Sequence, residues 1–201
     1  MIQYSIENRQ SFAPEARLTS IGFKNLNRYE KGSKMTLEEA IKTAIEYEIR
    51  VRDLYYEAAA KVSDAVGKRI FQALGDDEQH HVDYLMSRLD IWQKTGKLKL
   101  EKLESTIPSR ETIARSVGKL QERLAKDDRK DEKQMLSKAL RTEVETSDFY
   151  QKMVDEMSGE GRQMFARFLE IEEGHITAVQ IELDYLTKTG YWFDFKEFDM
   201  E

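Results

Sequence analysis

From residue 36 to residue 190 the chain falls into four long segments in which an apolar side chain recurs every three or four positions, and none of the four contains a proline. That spacing is the period of a helix with one buried face, so the pattern predicts four amphipathic helices. The first opens at Thr36-Leu37-Glu38-Glu39, where the threonine hydroxyl can accept from free N–H groups of the first turn and Glu39 can reach back to the cap; it should run to about residue 63. The second spans about 67 to 95 and stops at Gly96. The third opens at a further cap pattern, Asp131-Glu132-Lys133-Gln134, and reaches about 157, and the fourth spans about 161 to 189 and stops at Gly190. Each helix is then about 28 residues, or ~42 Å, long.

An internal repeat joins the segments into two hairpins. Shifting by 95 residues superposes Ala44, Glu48, Asp53 and Tyr55 on Ala139, Glu143, Asp148 and Tyr150. Shifting by 94 superposes Gly67, Phe71, Glu78, His81, Leu89, Asp90 and Lys94-Thr95-Gly96 on Gly161, Phe165, Glu172, His175, Leu183, Asp184 and Lys188-Thr189-Gly190. The change of offset falls in the hairpin turn, where a deletion costs little. Residues 96–130 join the two halves, with Pro108 and a predicted short helix from Arg110 to Leu124. At ~3.3 Å per extended residue this stretch can cross the whole bundle and let the third helix start at the far end from where the second stops. The expected fold is an all-α four-helix bundle (36–190) of two pseudo-twofold hairpins with a long crossover (96–130) between helices 2 and 3. It is flanked by an N-terminal arm (1–35) and a C-terminal aromatic tail (191–201).

Writing each segment in alternating steps of three and four exposes its buried stripe. The stripes read Ile41, Ala44, Glu48, Val51, Tyr55, Ala58; Phe71, Leu74, Glu78, His81, Leu85 and, past Arg88, Trp92; Leu136, Ala139, Glu143, Thr146, Tyr150, Met153; and Phe165, Phe168, Glu172, His175, Val179. Each is apolar until mid-helix, where a Glu or a Glu-x-x-His interrupts it. Four carboxylates and two imidazoles are thereby expected at one level of the core, with no lysine or arginine among them. Left unpaired, such carboxylates would be strongly destabilising by desolvation and mutual repulsion, so they must take up protons or bind cations. Two divalent cations would balance the four glutamates, and two neutral imidazoles would complete the shell without adding charge. A Glu and a His at i and i+3 share one helix face, so each pair can serve one metal cluster. Oxygen and imidazole donors without sulfur suit iron, or manganese, better than copper(I) or zinc. A lone Glu-x-x-His means little in a chain with 38 acidic residues, but two of only three histidines carry it, at equivalent places in the repeat.

Composition removes other classes. The 201 residues include no cysteine, so a disulfide framework, a thiolate zinc site, an iron–sulfur cluster and a cysteine nucleophile are all excluded. The longest stretch without Asp, Glu, Lys or Arg is Gly174 to Ile181, far short of the ~18 apolar residues of a membrane span. Glu7 and Arg9 interrupt what would be the apolar part of an export signal, so a cytoplasmic location is expected. With a net charge of −6 and interleaved signs, nucleic acid is not an expected partner.

The set Glu48-x6-Tyr55, Glu78-x-x-His81, Glu143-x6-Tyr150 and Glu172-x-x-His175 resembles that of ferritin-like di-iron carboxylate proteins of the rubrerythrin type, over residues 37 to 190. The resemblance implies a ferritin-like bundle holding two iron ions and a non-haem oxidoreductase that reacts with peroxide or dioxygen. In that family the glutamate of each Glu-x-x-His bridges both irons, which falls here on Glu78 and Glu172; Glu48 and His81 would hold one iron, and Glu143 and His175 the other. Two departures matter. Peroxidase-active rubrerythrins carry a rubredoxin domain whose cysteines hold an electron-transfer iron, whereas this chain would need an external electron donor. They also carry an extra carboxylate three residues beyond the third-helix glutamate, where this chain has Thr146; Glu145, one step off the stripe, should face away. The alternative is an iron-binding, ferroxidase or storage protein without a dedicated substrate, and a third reading is an interaction scaffold with a structural metal.

Tyr55 and Tyr150 stand two turns beyond their glutamates, either as redox-active groups beside the metals or as packing aromatics whose hydroxyls find a partner. Asp53 and Asp148, ~140° round the helix from the ligands, are expected in interhelix pairs. His80, with Gly174 as its repeat mate, is expected to face solvent. Tyr191, Trp192, Phe193 and Phe195 need burial, against this bundle or another subunit, as do Ile2, Tyr4, Ile6, Phe12, Ile21 and Phe23 of the arm; a homodimer is the expected assembly.

Overall fold

The computed structural model describes residues 35–108, 112 and 130–193. The arm before Met35, the expected helix at 110–124, Phe195 and the last residues lie outside the described residues. Among those described are four helices and no strand: α1 (Leu37–Lys61), α2 (Ala65–Thr95), α3 (Lys130–Glu156) and α4 (Gly159–Thr189). None is long and apolar enough to cross a membrane.

The helix ends follow from local chemistry. At the start of α1 the reciprocal cap forms, the Glu39 N–H donating to Thr36 Oγ1 at 3.3 Å and the Thr36 N–H to Glu39 Oε2 at 2.9 Å. The chain then turns extended at Val62, and Asp64 caps α2 by accepting from the N–H groups of Val66 (2.8 Å) and Gly67 (3.2 Å), so α2 starts two residues earlier than its apolar stripe suggests. Both hairpins end alike. Gly96 (φ 67°) closes α2 and Gly190 (φ 75°) closes α4, each in the left-handed conformation that glycine adopts without a Cβ penalty. The expected cap at Asp131 is not formed: Lys130 is already helical, and Asp131 and Glu132 occupy the first turn, where acidic groups offset the positive end of the helix dipole.

Every residue of the four stripes is buried, Trp92 only partly. The apolar core is nevertheless two clusters rather than one. Val51, Tyr55, Phe71, Leu74, Leu136, Ala139, Val179 and Leu186 fill one end; Ile41, Ala44, Leu85, Tyr150, Met153, Phe165 and Phe168 fill the other. The C-terminal half of α1 therefore shares an end with the starts of α2 and α3 and the finish of α4, which makes α1 antiparallel to α2 and α3, and α3 antiparallel to α4. α1 packs along α2 and α3 along α4, with a shorter seam between α1 and α3. Between the two clusters lies the polar layer.

Of the described tail residues, Trp192 and Phe193 fold onto this bundle, whereas Tyr191, expected to be buried, is exposed. Trp192 packs edge-on against Phe71 (5.4 Å between centroids), and the Phe193 N–H donates to the buried carboxylate of Glu182 at 2.9 Å. Gly67 makes the room, since a Cβ there would lie 2.4 Å from Trp192 Cε2.

Candidate metal centre

The six predicted donors come together. Glu48 from α1, Glu78 and His81 from α2, Glu143 from α3, and Glu172 and His175 from α4 are each fully buried in the layer between the clusters. Both imidazoles turn Nδ1 toward carboxylates. His81 Nδ1 lies 3.2 Å from Glu48 Oε2 and 3.0 Å from Glu78 Oε2, and His175 Nδ1 lies 2.7 Å from Glu78 Oε1 and 3.8 Å from Glu143 Oε1. The two rings stack at 5.4 Å, and the edge of Phe168 closes one side of His81.

Donor atoms gather in two sets, Glu48, Glu78, His81 and Glu172, and Glu78, Glu143, Glu172 and His175, each with its atoms within 4.8 Å of one another. The sets share Glu78 and Glu172. Each is close enough to hold a metal ion. The layer also holds buried carboxylate oxygens without a hydrogen-bond partner, Glu143 Oε2 and both oxygens of Glu172, while Glu78 Oε1 and His175 Nδ1 face each other at 2.7 Å. Buried polar groups are almost always partnered, so three unpartnered carboxylate oxygens in one layer fit the donor set of a cation site.

Electrostatics within the layer point the same way. Burial, then the neighbouring Glu78, pushes Glu48 up to about 8. Burial and Glu78 raise Glu143, and burial with the charges of Glu48, Glu143 and Glu78 carries Glu172 well above the usual range. Burial would lower the imidazoles, but Glu78 and Glu48 lift His81 to about 10, and Glu78 and Asp77 lift His175 well above its ordinary value. Glu78 moves the other way: burial would raise it, and the two imidazoles hold it well below. Left to themselves, these groups coexist by retaining protons that a cation would displace.

Tyr55 and Tyr150 are buried, and both hydroxyls have partners. Tyr55 OH donates to Glu143 and Tyr150 OH to Glu48, each crossing between α1 and α3. Burial and the adjacent glutamate raise both phenols well above their usual value, so they stay protonated donors. Thr146 is buried and donates to the Thr142 carbonyl at 3.0 Å, while Glu145 faces outward beside Arg50 (3.6 Å). His80 is exposed, as expected. The interhelix pairing expected of Asp53 is not what forms: its carboxylate accepts from Arg52, next to it on α1. Asp148 is likewise exposed, because a position so far round the helix from the core stripe faces water.

A buried acid at the edge of the site escaped the sequence reading. Asp77 stands directly behind the histidines, with Oδ2 at 3.1 Å from His175 Nε2 and 3.6 Å from His81 Nε2. Its signal was present: Asp77 is four residues before His81 and three after the core residue Leu74, hence on the buried face. Its repeat mate is Ile171, so the comparison of halves passes over it. Asp77, His81 and His175 also lie within 4.8 Å of one another. Oδ1 already accepts from Thr106 N–H (2.6 Å) and Oγ1 (2.8 Å), and Oδ2 from Ser105 Oγ (2.6 Å) and His175 Nε2. With its lone-pair directions used, Asp77 is a hydrogen-bond acceptor behind the imidazoles rather than a third metal ligand. It is held well below the usual carboxylate range, because the His175 and His81 charges and these hydrogen bonds outweigh burial.

Searches against protein-family models, curated proteins and solved structures find no match to this chain.

Proposed function

We propose that the chain is a ferritin-like protein of the rubrerythrin type, an oxidoreductase whose di-iron centre reacts with peroxide or dioxygen. The observation that carries the reading is the pair of buried donor sets sharing Glu78 and Glu172, with three carboxylate oxygens otherwise unpartnered. In this reading Glu78 and Glu172 would be shared by two iron ions, with Glu48 and His81 helping to hold one and Glu143 and His175 the other; manganese would suit the same donors. The parallel course of α2 and α3 calls for the long crossover of that fold.

When bound, a pair of reduced irons supplies two electrons to an O–O bond. The chain's own residues do the rest. Phe71 and Leu74 on one side and Phe165 and Phe168 on the other keep water from the layer. Tyr55 and Tyr150 hold a proton at their hydroxyl oxygens beside Glu143 and Glu48, fixing the direction of each carboxylate. Neither cysteine nor a second carboxylate at position 146 is available for electron relay or ligand exchange, so electrons come from an external donor and the donor set stays fixed.

That same rigidity supports a second reading, an iron-oxidising or storage protein. The test loads iron(II), confirms two per chain, and adds one equivalent of hydrogen peroxide. An oxidoreductase keeps both irons and cycles again with a chemical reductant. Release of iron, with repeated consumption of fresh iron(II) and no reductant-driven turnover, would replace the first reading by the second.

A further inference from the structure

After α2 the chain does not leave the bundle. Residues 97–108 run as a strap tied to both α2 and α4. Arg88 donates to the Lys99 carbonyl and pairs with Glu101 at 3.0 Å, Tyr84 OH donates to the Glu101 carbonyl at 3.0 Å, and Arg167 of α4 donates to the Leu103 carbonyl at 3.1 Å. Its own Leu98, Leu103 and Ile107 are buried. The strap then reaches Asp77, which Ser105 Oγ and the Thr106 N–H and Oγ1 grip at 2.6 to 2.8 Å. The Ile107 N–H in turn donates to Ser105 Oγ at 3.0 Å.

We propose that Asp77 is a positioning residue for the metal-binding imidazoles, holding His175 by a hydrogen bond and facing His81 with its charge, and that through it Ser105 and Thr106 of the strap are coupled to occupancy of the metal centre. The proposal rests on the di-metal reading above. An imidazole that gives Nδ1 to a cation carries its proton on Nε2, and in a dry core that N–H needs an acceptor, which also fixes the tautomer and the ring plane. His175 already has one in Asp77 Oδ2. His81 Nε2 is buried without a hydrogen-bond partner, and the carboxylate oxygen facing it, at 3.6 Å, is the same Asp77 Oδ2. Because α4 has Ile171 at the equivalent place, this one carboxylate faces both rings: it is hydrogen-bonded to His175 and, with its acceptor directions taken, acts on His81 through its charge at 3.6 Å. Its direction is set by the strap: Thr106 pins Oδ1 and Ser105 pins Oδ2. Linkage makes the effect reciprocal, so whatever these hydrogen bonds add to metal affinity, bound metal adds to the stability of the strap.

The experiment uses zinc(II), diamagnetic and redox-inert, with the full chain. Calorimetry gives stoichiometry and affinity, long-range 1H–15N spectra give the histidine tautomers, and hydrogen exchange reports the Thr106 and Ile107 amides. In the unsubstituted protein both rings should be bound through Nδ1 and protonated on Nε2, and zinc should slow both amides. Asp77→Asn should weaken zinc by about 10- to 100-fold and remove the effect of zinc on the two amides. Ser105→Ala, which leaves every buried charge in place, should weaken it in the same direction by less, and His80→Ala should change neither quantity. Failure of the unsubstituted protein to bind zinc(II) and iron(II) alike would overturn the di-metal reading and this proposal with it. Zinc affinity and amide protection that survive Asp77→Asn, or Ser105→Ala should the first variant not fold, would overturn the role of Asp77 alone.

Discussion

Replacing Glu48 by glutamine should make the metal-free protein more stable while weakening its hold on metal. In the bundle the Glu48 carboxyl titrates at about 8, against 4.5 for an ordinary glutamate. At pH 7 it is protonated when folded and ionised when unfolded, a difference that disfavours folding by about 3 kcal/mol, from 1.36 kcal/mol per unit between 4.5 and 7. Glutamine has the shape and neutrality of the protonated acid, and its carbonyl can still accept from Tyr150. Its unfolded form gains nothing by ionising. Glu48→Gln should therefore be more stable by about 3 kcal/mol, or roughly 6–12 °C in Tm for a chain of this size. The sign fixes the pH window. A carboxyl with a raised folded-state value binds its proton more tightly when folded, so the native protein loses stability as pH rises from 4.5 to about 8, and the advantage of glutamine vanishes near pH 4.5 and is largest at pH 8 and above. Thermal unfolding followed by circular dichroism at pH 5, 7 and 8.5 with a chelator measures it. With metal at 100 times its Kd the native protein gains about 3 kcal/mol, whereas the variant, short of one donor, gains less at the same concentration. A variant no more stable than the native protein at pH 7 in chelator, or a difference that ignores pH, would refute the crowding of carboxyls argued here.

Metal uptake at pH 7 should release protons, because Glu48 (about 8) and His81 (about 10) both hold theirs until a cation displaces them; affinity should climb with pH through 8, as calorimetry in buffers of differing ionisation enthalpy would record. Tyr55→Phe removes the donor to Glu143 Oε1, whose other oxygen already lacks a partner, and should cost about 1–3 kcal/mol by urea titration in chelator while two metals still bind. Gly67→Ala drives a methyl to within 2.4 Å of Trp192 and should cost about 1–3 kcal/mol, with a red-shifted Trp192 fluorescence in a Trp92→Phe background. Its repeat mate Gly161→Ala is tight only against a Leu37 methyl at 3.0 Å, which can swing aside, so it should be close to neutral by the same melt.

Periodicity, caps and the repeat were enough to locate four helices and six buried polar residues, because both kinds of information are local. A helix turns its stripe inward every three or four residues, and a glutamate that interrupts an otherwise apolar stripe is conspicuous wherever the bundle places it. The two Glu-x-x-His pairs were legible for the same reason. What only tertiary structure decided is which groups meet across helices. That Tyr55 serves Glu143, and Tyr150 serves Glu48, depends on the antiparallel packing of α1 on α3, which brings together residues 88 and 102 positions apart. That both imidazoles present Nδ1 to the glutamates and Nε2 to Asp77 is a matter of ring orientation, which spacing does not encode. Asp77 was hidden because its meaning lies in the strap: Ser105 and Thr106 read as ordinary loop residues until the chain after α2 folds back and spends their donors on one buried carboxylate.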